Sequence, residues 1–231
     1  MLSNEDVYKS WTFGVAEGLI NKKGIYDNSP FLETLKDLLK PFSGFHRKID
    51  VLLTNADKGR PEYFNESTDF KKFPEILTAS ISKGGELPFL KIDGTNYMSG
   101  LLVQSISIIR SIGRCIDEMN ATEDDVVVDI ISAIPLKNIT KDLRKAKTLE
   151  MAARYFELTS FHKLHFALLS AKQSYPKAHF RYTVMPSTSL GSSSMTTKFD
   201  AIDIMKLYQK GYADGMSAVA ESGEAFTELS S

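Results

Sequence analysis

The sequence predicts an α/β protein, a mostly parallel sheet with helices on both faces. Two observations carry this. Segments whose apolar residues recur at helical spacing alternate along the chain with short β-branched runs, the pattern of layered α/β domains. The clearest of those runs, Val126-Val127-Val128-Asp129-Ile130-Ile131, is apolar but for one aspartate, which fits a strand covered on both faces, as in a parallel sheet.

Taken in order, Ser3 or Asn4 caps a first helix running to about Asn21, with Val7, Trp11, Val15, Leu19 and Ile20 on one side. Gly24 and Asn28 mark a loop. Ser29-Pro30 opens a second helix, since proline is tolerated in the first helical turn; Leu32, Leu35, Leu38 and Leu39 are its apolar residues and Pro41 closes it. Ile49 to Thr54 reads as a buried strand, Asp57-Lys58-Gly59 as a turn and Arg60 to Asn65 as a return strand. A short helix spans Phe70 to Ser82, followed by the loose Lys83-Gly84-Gly85. Asp93-Gly94 is a strong signal for a two-residue hairpin turn.

Gln104 to Met119 is a helix with Ile106, Ile109, Ile112 and Ile116 inward, and Thr140 to about Ser174 a long helix carrying Leu143, Leu149, Ala152, Phe156, Leu164 and Leu168. Phe180 to Met185 is the last strand, Ser187 to Thr197 a Ser/Thr-rich loop, and Phe199 to Glu221 a closing helix. With no internal repeat and no long linker, residues 1–222 read as one domain and residues 223–231 as a flexible acidic tail.

Composition narrows the function classes. Hydrophobic residues make up 42% of the 231 and charged residues 25%, the balance of a soluble globular protein. The net charge of −1 supplies no field to recruit nucleic acid or an anionic membrane. A single cysteine, Cys115, forms no internal disulfide framework and suits a reducing compartment. Met1 to Asp6 lack the positive start and apolar run of a secretory signal, and no window approaches the ~20 apolar residues of a membrane span. The expectation is an intracellular, cytoplasmic protein, peripheral at membranes at most.

Few side chains stand out as chemistry. His162 and His165 lie three apart on the long helix and share a face, but catalytic zinc needs three ligands and no third is apparent; no metal site and no cofactor are expected. His46 and His179 carry no signal, and Cys115 reads as a small core residue. Lys141, Arg144, Lys145 and Lys147, after Pro135-Leu136-Lys137, read as a solvated helix start. Asp93 reads as a turn residue and Asp214-Gly215 as a helix-terminating signal.

The stretch Phe89-Leu90-Lys91-Ile92-Asp93-Gly94-Thr95-Asn96-Tyr97-Met98-Ser99-Gly100 is an apolar strand that turns at Asp-Gly and returns through a tyrosine. Tyr8-Lys9-Ser10-Trp11, then Lys23-Gly24-Ile25-Tyr26-Asp27-Asn28-Ser29-Pro30, then Val51 to Gly59, Thr78-Ala79-Ser80-Ile81-Ser82 with Leu87-Pro88-Phe89, and Ile106 to Cys115 with Val126 to Ile131 follow in a definite order. Between about Tyr8 and Gly215 this order resembles the patatin-like phospholipase family, in the C-terminal part of its domain. The resemblance implies an incomplete patatin-like α/β domain related to serine acyl ester hydrolases. It places Ser99 where that family has the catalytic aspartate, and the chain then begins after the family's glycine-rich oxyanion loop. No Gly-x-Ser-x-Gly elbow occurs in the sequence; Ser189-Leu190-Gly191-Ser192-Ser193-Ser194 is the nearest cluster and lacks the spacing.

A neutral hydroxyl cannot accept a nucleophile's proton usefully at pH 7. The resemblance therefore implies no intact catalytic residue: Ser99 has neither base nor elbow, so the chain is a pseudoenzyme keeping its scaffold for lipid or protein contact. The alternative is a fragment or subunit of an acyl hydrolase completed by an upstream or partner Gly-x-Ser-x-Gly segment. Either way the resemblance implies a lipid or acyl-ester ligand. It also implies self-association, or a partner chain, to cover the sheet edge that the missing strands leave open.

Overall fold

A computed structural model describes residues 4–135, 140–188, 190 and 201–220. Lys137, Ser189, most of the Ser187 to Thr197 tract and the expected tail at 223–231 lie outside the described residues. The protein is a mixed α/β chain that divides into two compact units, Met1–Val103 with Lys198–Ala201, and Gln104–Thr197 with Ile202–Ser231.

The first unit begins with helix α1 (Asn4–Val7), strand β1 (Lys9–Ser10), helix α2 (Gly14–Asn21) and strand β2 (Tyr26–Asp27). The single helix expected as far as Asn21 is thus broken. Lys9 and Ser10 pair antiparallel with Asp27 and Tyr26, Trp11 Nε1 donates to the Gly24 carbonyl at 2.9 Å, and Gly14 takes φ +69°, a conformation helix cannot pass through and that glycine alone adopts cheaply. Helix α3 (Ser29–Leu39) starts at its proline as expected.

A four-stranded sheet follows, built from β3 (Asp50–Asn55), β4 (Arg60–Asn65), β5 (Leu90–Ile92) and β6 (Thr95–Ser99) in the order β4-β3-β6-β5. Every neighbouring pair in it is antiparallel, so the larger sheet departs from the mostly parallel arrangement expected. Connection length accounts for two of the three pairs, β3 with β4 and β5 with β6: turns as short as those at Asp57–Gly59 and Asp93-Gly94 join only antiparallel neighbours. Asp93 and Gly94 both take positive φ, 48° and 83°, the turn whose twist matches the flanking strands. Helix α4 (Phe73–Ile81), entered through a 3-10 turn at Phe70–Lys72, packs against β3, β5 and β6. Between them lie Leu53, Phe73, Ile76, Ala79, Ile92 and Tyr97, with Phe45 edge-on to Phe73 at 4.4 Å.

The second unit holds α5 (Ile108–Met119), β7 (Val127–Ile131), α6 (Thr148–Ser174), β8 (His179–Val184) and α7 (Ala201–Ala220). Here the α6 crossover does produce a parallel pair, β7 with β8. Its outer face is open, with Val127 52% and Ile131 77% exposed, so the apolar run is not covered on both faces. Asp129 interrupts that face because it pairs with Arg181 on the neighbouring strand.

The core gathers Ile108, Ile112, Val126, Ile130, Leu164, Leu168, Ala171 and Ala178, with Cys115 and Ile116 against it. Ile109, expected inward, is exposed, because α5 begins at Ile108 and the face at 108, 112, 115 and 116 wins. Helix α6 begins at Thr148 rather than Thr140, where Glu150 accepts from the Lys147 backbone N–H at 2.6 Å. Among the described residues, no helix is long and apolar enough to cross a membrane.

Leu168 is fully buried and Phe166, two residues earlier, is largely exposed. Leu168→Ala should therefore cost about 2–5 kcal/mol in a urea unfolding curve, while Phe166→Ala should shift it by under ~0.5 kcal/mol.

Candidate functional site

Ser99 ends β6, and its surroundings are built from three directions. Its backbone N–H donates to the Ser82 carbonyl at 3.0 Å, just past the end of α4. Its own carbonyl accepts from the Thr54 hydroxyl of β3 at 3.0 Å. Its hydroxyl accepts from the Leu101 N–H at 3.3 Å, so the side chain caps the 3-10 turn at Gly100–Leu102. Gly100 must lack a side chain, since a Cβ there would collide with the Leu52 carbonyl oxygen.

Behind Ser99 the polar contacts continue inward. Ser82 Oγ donates to the Thr78 carbonyl at 2.8 Å and accepts from Asn28 Nδ2 at 2.9 Å. Asn28 Nδ2 also reaches the Pro88 carbonyl at 3.3 Å. Asn28, Thr54, Thr78, Ser82 and Ser99 are all buried, and all are neutral. Buried hydroxyls and amides of this kind are tolerated because they bond one another and the backbone. None of them is a proton acceptor suited to pH 7.

The single carboxylate of β4, Glu62, is engaged elsewhere. It accepts from the Tyr97 hydroxyl, from Asn55 Nδ2 at 2.9 Å and from Arg60 Nε at 3.2 Å. The Tyr97 bond, then those of Asn55 and Arg60, hold its pKa below the usual range against the opposing effect of burial. Burial, with Glu62 beside it, pushes Tyr97 up to about 12. Asp57 accepts from both the side chain and the backbone of Asn96, which lowers its pKa.

The other residues singled out by sequence lie apart from Ser99. Asp93 sits in the exposed hairpin turn and pairs with Lys72 at 2.6 Å, as a turn residue should. Asp214 does not end a helix: Asp214 and Gly215 lie inside α7, where the carboxylate accepts from the Ser187 N–H at 3.3 Å. His165 stacks on Phe161 at 4.2 Å and His162 meets the same ring edge-on at 5.3 Å; among the described residues, no group of three metal-ligating side chains forms. Lys141 pairs with Glu157 at 2.7 Å and Arg144 with Asp142 at 2.7 Å, so part of the basic run is neutralised by its own neighbours.

Asn28–Ser82 and Glu62–Tyr97 were not visible in the sequence, their members standing 54 and 35 residues apart. One local sign existed. Asp27 binds both the N–H and the hydroxyl of Ser29 at 2.9 Å; with Asp27 in that role, Asn28 is free to turn inward. No known protein family matches this chain, and no curated protein matches it.

Gly100→Ala should lower stability by about 1–3 kcal/mol, read by chemical denaturation, because the new methyl displaces β3. A group whose pKa rises on folding stabilises fully below its unfolded value and loses that contribution above its folded one. For Tyr97 that window runs from the ordinary 10.0 to about 12. Ultraviolet titration of the phenols should therefore show a late step near pH 12 that disappears in Tyr97→Phe, and the variant should lose less stability across that range. For Glu62 the sign is opposite: its contribution is present above its unfolded value and lost as pH falls through the lowered folded one.

Proposed function

We propose that the chain is a non-catalytic, patatin-like scaffold that contacts lipid acyl chains. The reading rests on the ordered resemblance of its segments to that family and on one observation at the site. The hydroxyl of Ser99 is engaged as the acceptor for Leu101 N–H, and no carboxylate among the described residues hydrogen-bonds to it. Losing a general base costs about 10²–10⁴ in rate, and the position that the resemblance matches to the base holds a capping group instead. Directly after it Leu101, Leu102 and Val103 present exposed apolar side chains, a short step of the kind that acyl chains or apolar segments cover.

A fluorophosphonate probe should label nothing in the purified chain, and Ser99→Ala should leave that result unchanged; labelling lost in Ser99→Ala would refute the reading. Phosphatidylcholine vesicles should carry the chain upward in a density gradient, and Leu101→Asp with Leu102→Asp should weaken that binding at least about tenfold, given ~1.5–3 kcal/mol for each large apolar side chain buried. Vesicle binding unchanged in that variant would remove the lipid contact from the proposal.

A further inference from the structure

Helix α7 is exposed over most of its surface, and one side of it is apolar, with Ile202 and Leu207 lying outside that side. Met205, Tyr208, Tyr212, Gly215 and Val219 follow one another at spacings of three and four residues, which places them on one seam. Tyr208 and Tyr212 are 68% and 64% exposed, and Met205 and Val219 are about half exposed. The four charged residues, Asp203, Lys206, Lys210 and Asp214, all fall outside the seam, and Asp214 accepts from the Ser187 N–H on that other side.

We infer that α7 pairs antiparallel with α7 of a second copy of this chain. Three features select that occupant. The seam fits itself when inverted: Met205 falls opposite Gly215 of the second copy, Tyr208 opposite Tyr212, and the two-fold axis repeats both layers, so a large side chain meets an empty position and aromatic meets aromatic. A parallel pair would set Gly215 against Gly215 and leave a gap. The seam side chains, with Met216 beside them, offer on the order of 600 Å² per copy, close to the ~800 Å² that each partner of a specific interface contributes. The flanking charges are two lysines and two aspartates, which give no net attraction for an anionic lipid surface. This pairing is independent of the patatin-like reading.

Sedimentation velocity on the full chain at ~100 μM should show a dimer. Tyr208→Ala with Tyr212→Ala keeps helix propensity, so circular dichroism should hold while dimerisation weakens at least about tenfold. Register is read with Cys115→Ser in all samples. Met205→Cys mixed with Gly215→Cys should form a disulfide-linked heterodimer under mild oxidation, while Met205→Cys alone should not, its mate lying ~15 Å away along the helix. A monomer at every concentration, a dimer indifferent to both tyrosines, or self-linkage of Met205→Cys would each overturn the proposal. So would a monomer that floats with phosphatidylcholine vesicles in a manner requiring Tyr208 and Tyr212, since lipid would then be the occupant.

Discussion

The end of β6 is pinned by hydrogen bonds from two other elements, and the local architecture follows from that. The Ser99 N–H reaches the residue after α4, and its carbonyl takes the Thr54 hydroxyl of β3. Each such bond is worth only ~1 kcal/mol net, yet breaking one in a buried setting strands a polar group at a cost of ~1–3 kcal/mol. The strand therefore has one place to stop. Gly100 then passes against the Leu52 carbonyl where no side chain fits, and the chain turns through a 3-10 segment that needs a cap. Ser99 supplies it.

That commitment sets the chemistry. A serine capping its own following turn directs its lone pair at a backbone N–H, and a group that receives a nucleophile's proton must instead be anionic or near its pKa. The buried polar set around it, Asn28, Thr78, Ser82 and Thr54, is neutral throughout. Glu62 of β4 is held ionised by Tyr97, Asn55 and Arg60, and its bonds to Asn55 and Tyr97 join β4 to β3 and β6. Polarity here serves cohesion: the hydroxyls and amides tie the start of α3, the end of α4 and two strands of the sheet together, complementing the apolar packing of Phe73, Ile76 and Leu53 on the same helix and sheet.

Local signals were legible where one short segment decides the outcome. Asp93-Gly94 dictates its hairpin, Ser29-Pro30 starts α3, and the strands at Asp50–Asn55 and Arg60–Asn65 fall where their punctuation puts them. The misses share a different cause. Nothing within Asn4 to Asn21 announces that Lys9-Ser10 pairs with Tyr26-Asp27 or that Trp11 reaches Gly24, so a tertiary pairing overrode the helical periodicity of that stretch. The run Val126 to Ile131 does form a parallel strand, but an apolar run cannot reveal that one of its faces stays open. Asn28–Ser82 and Glu62–Tyr97 join residues dozens of positions apart, beyond what spacing encodes. The hairpin that leads to Ser99 was legible, whereas the serine's role as a cap emerged only from the geometry.

The account stands on the hydroxyl of Ser99 being structural. The most direct measurement is steady-state hydrolysis of an activated acyl ester by the full chain beside Ser99→Ala, under conditions where both are folded by circular dichroism. The account predicts the same background rate for both. Turnover that saturates with ester in the parent chain and vanishes in Ser99→Ala would contradict it.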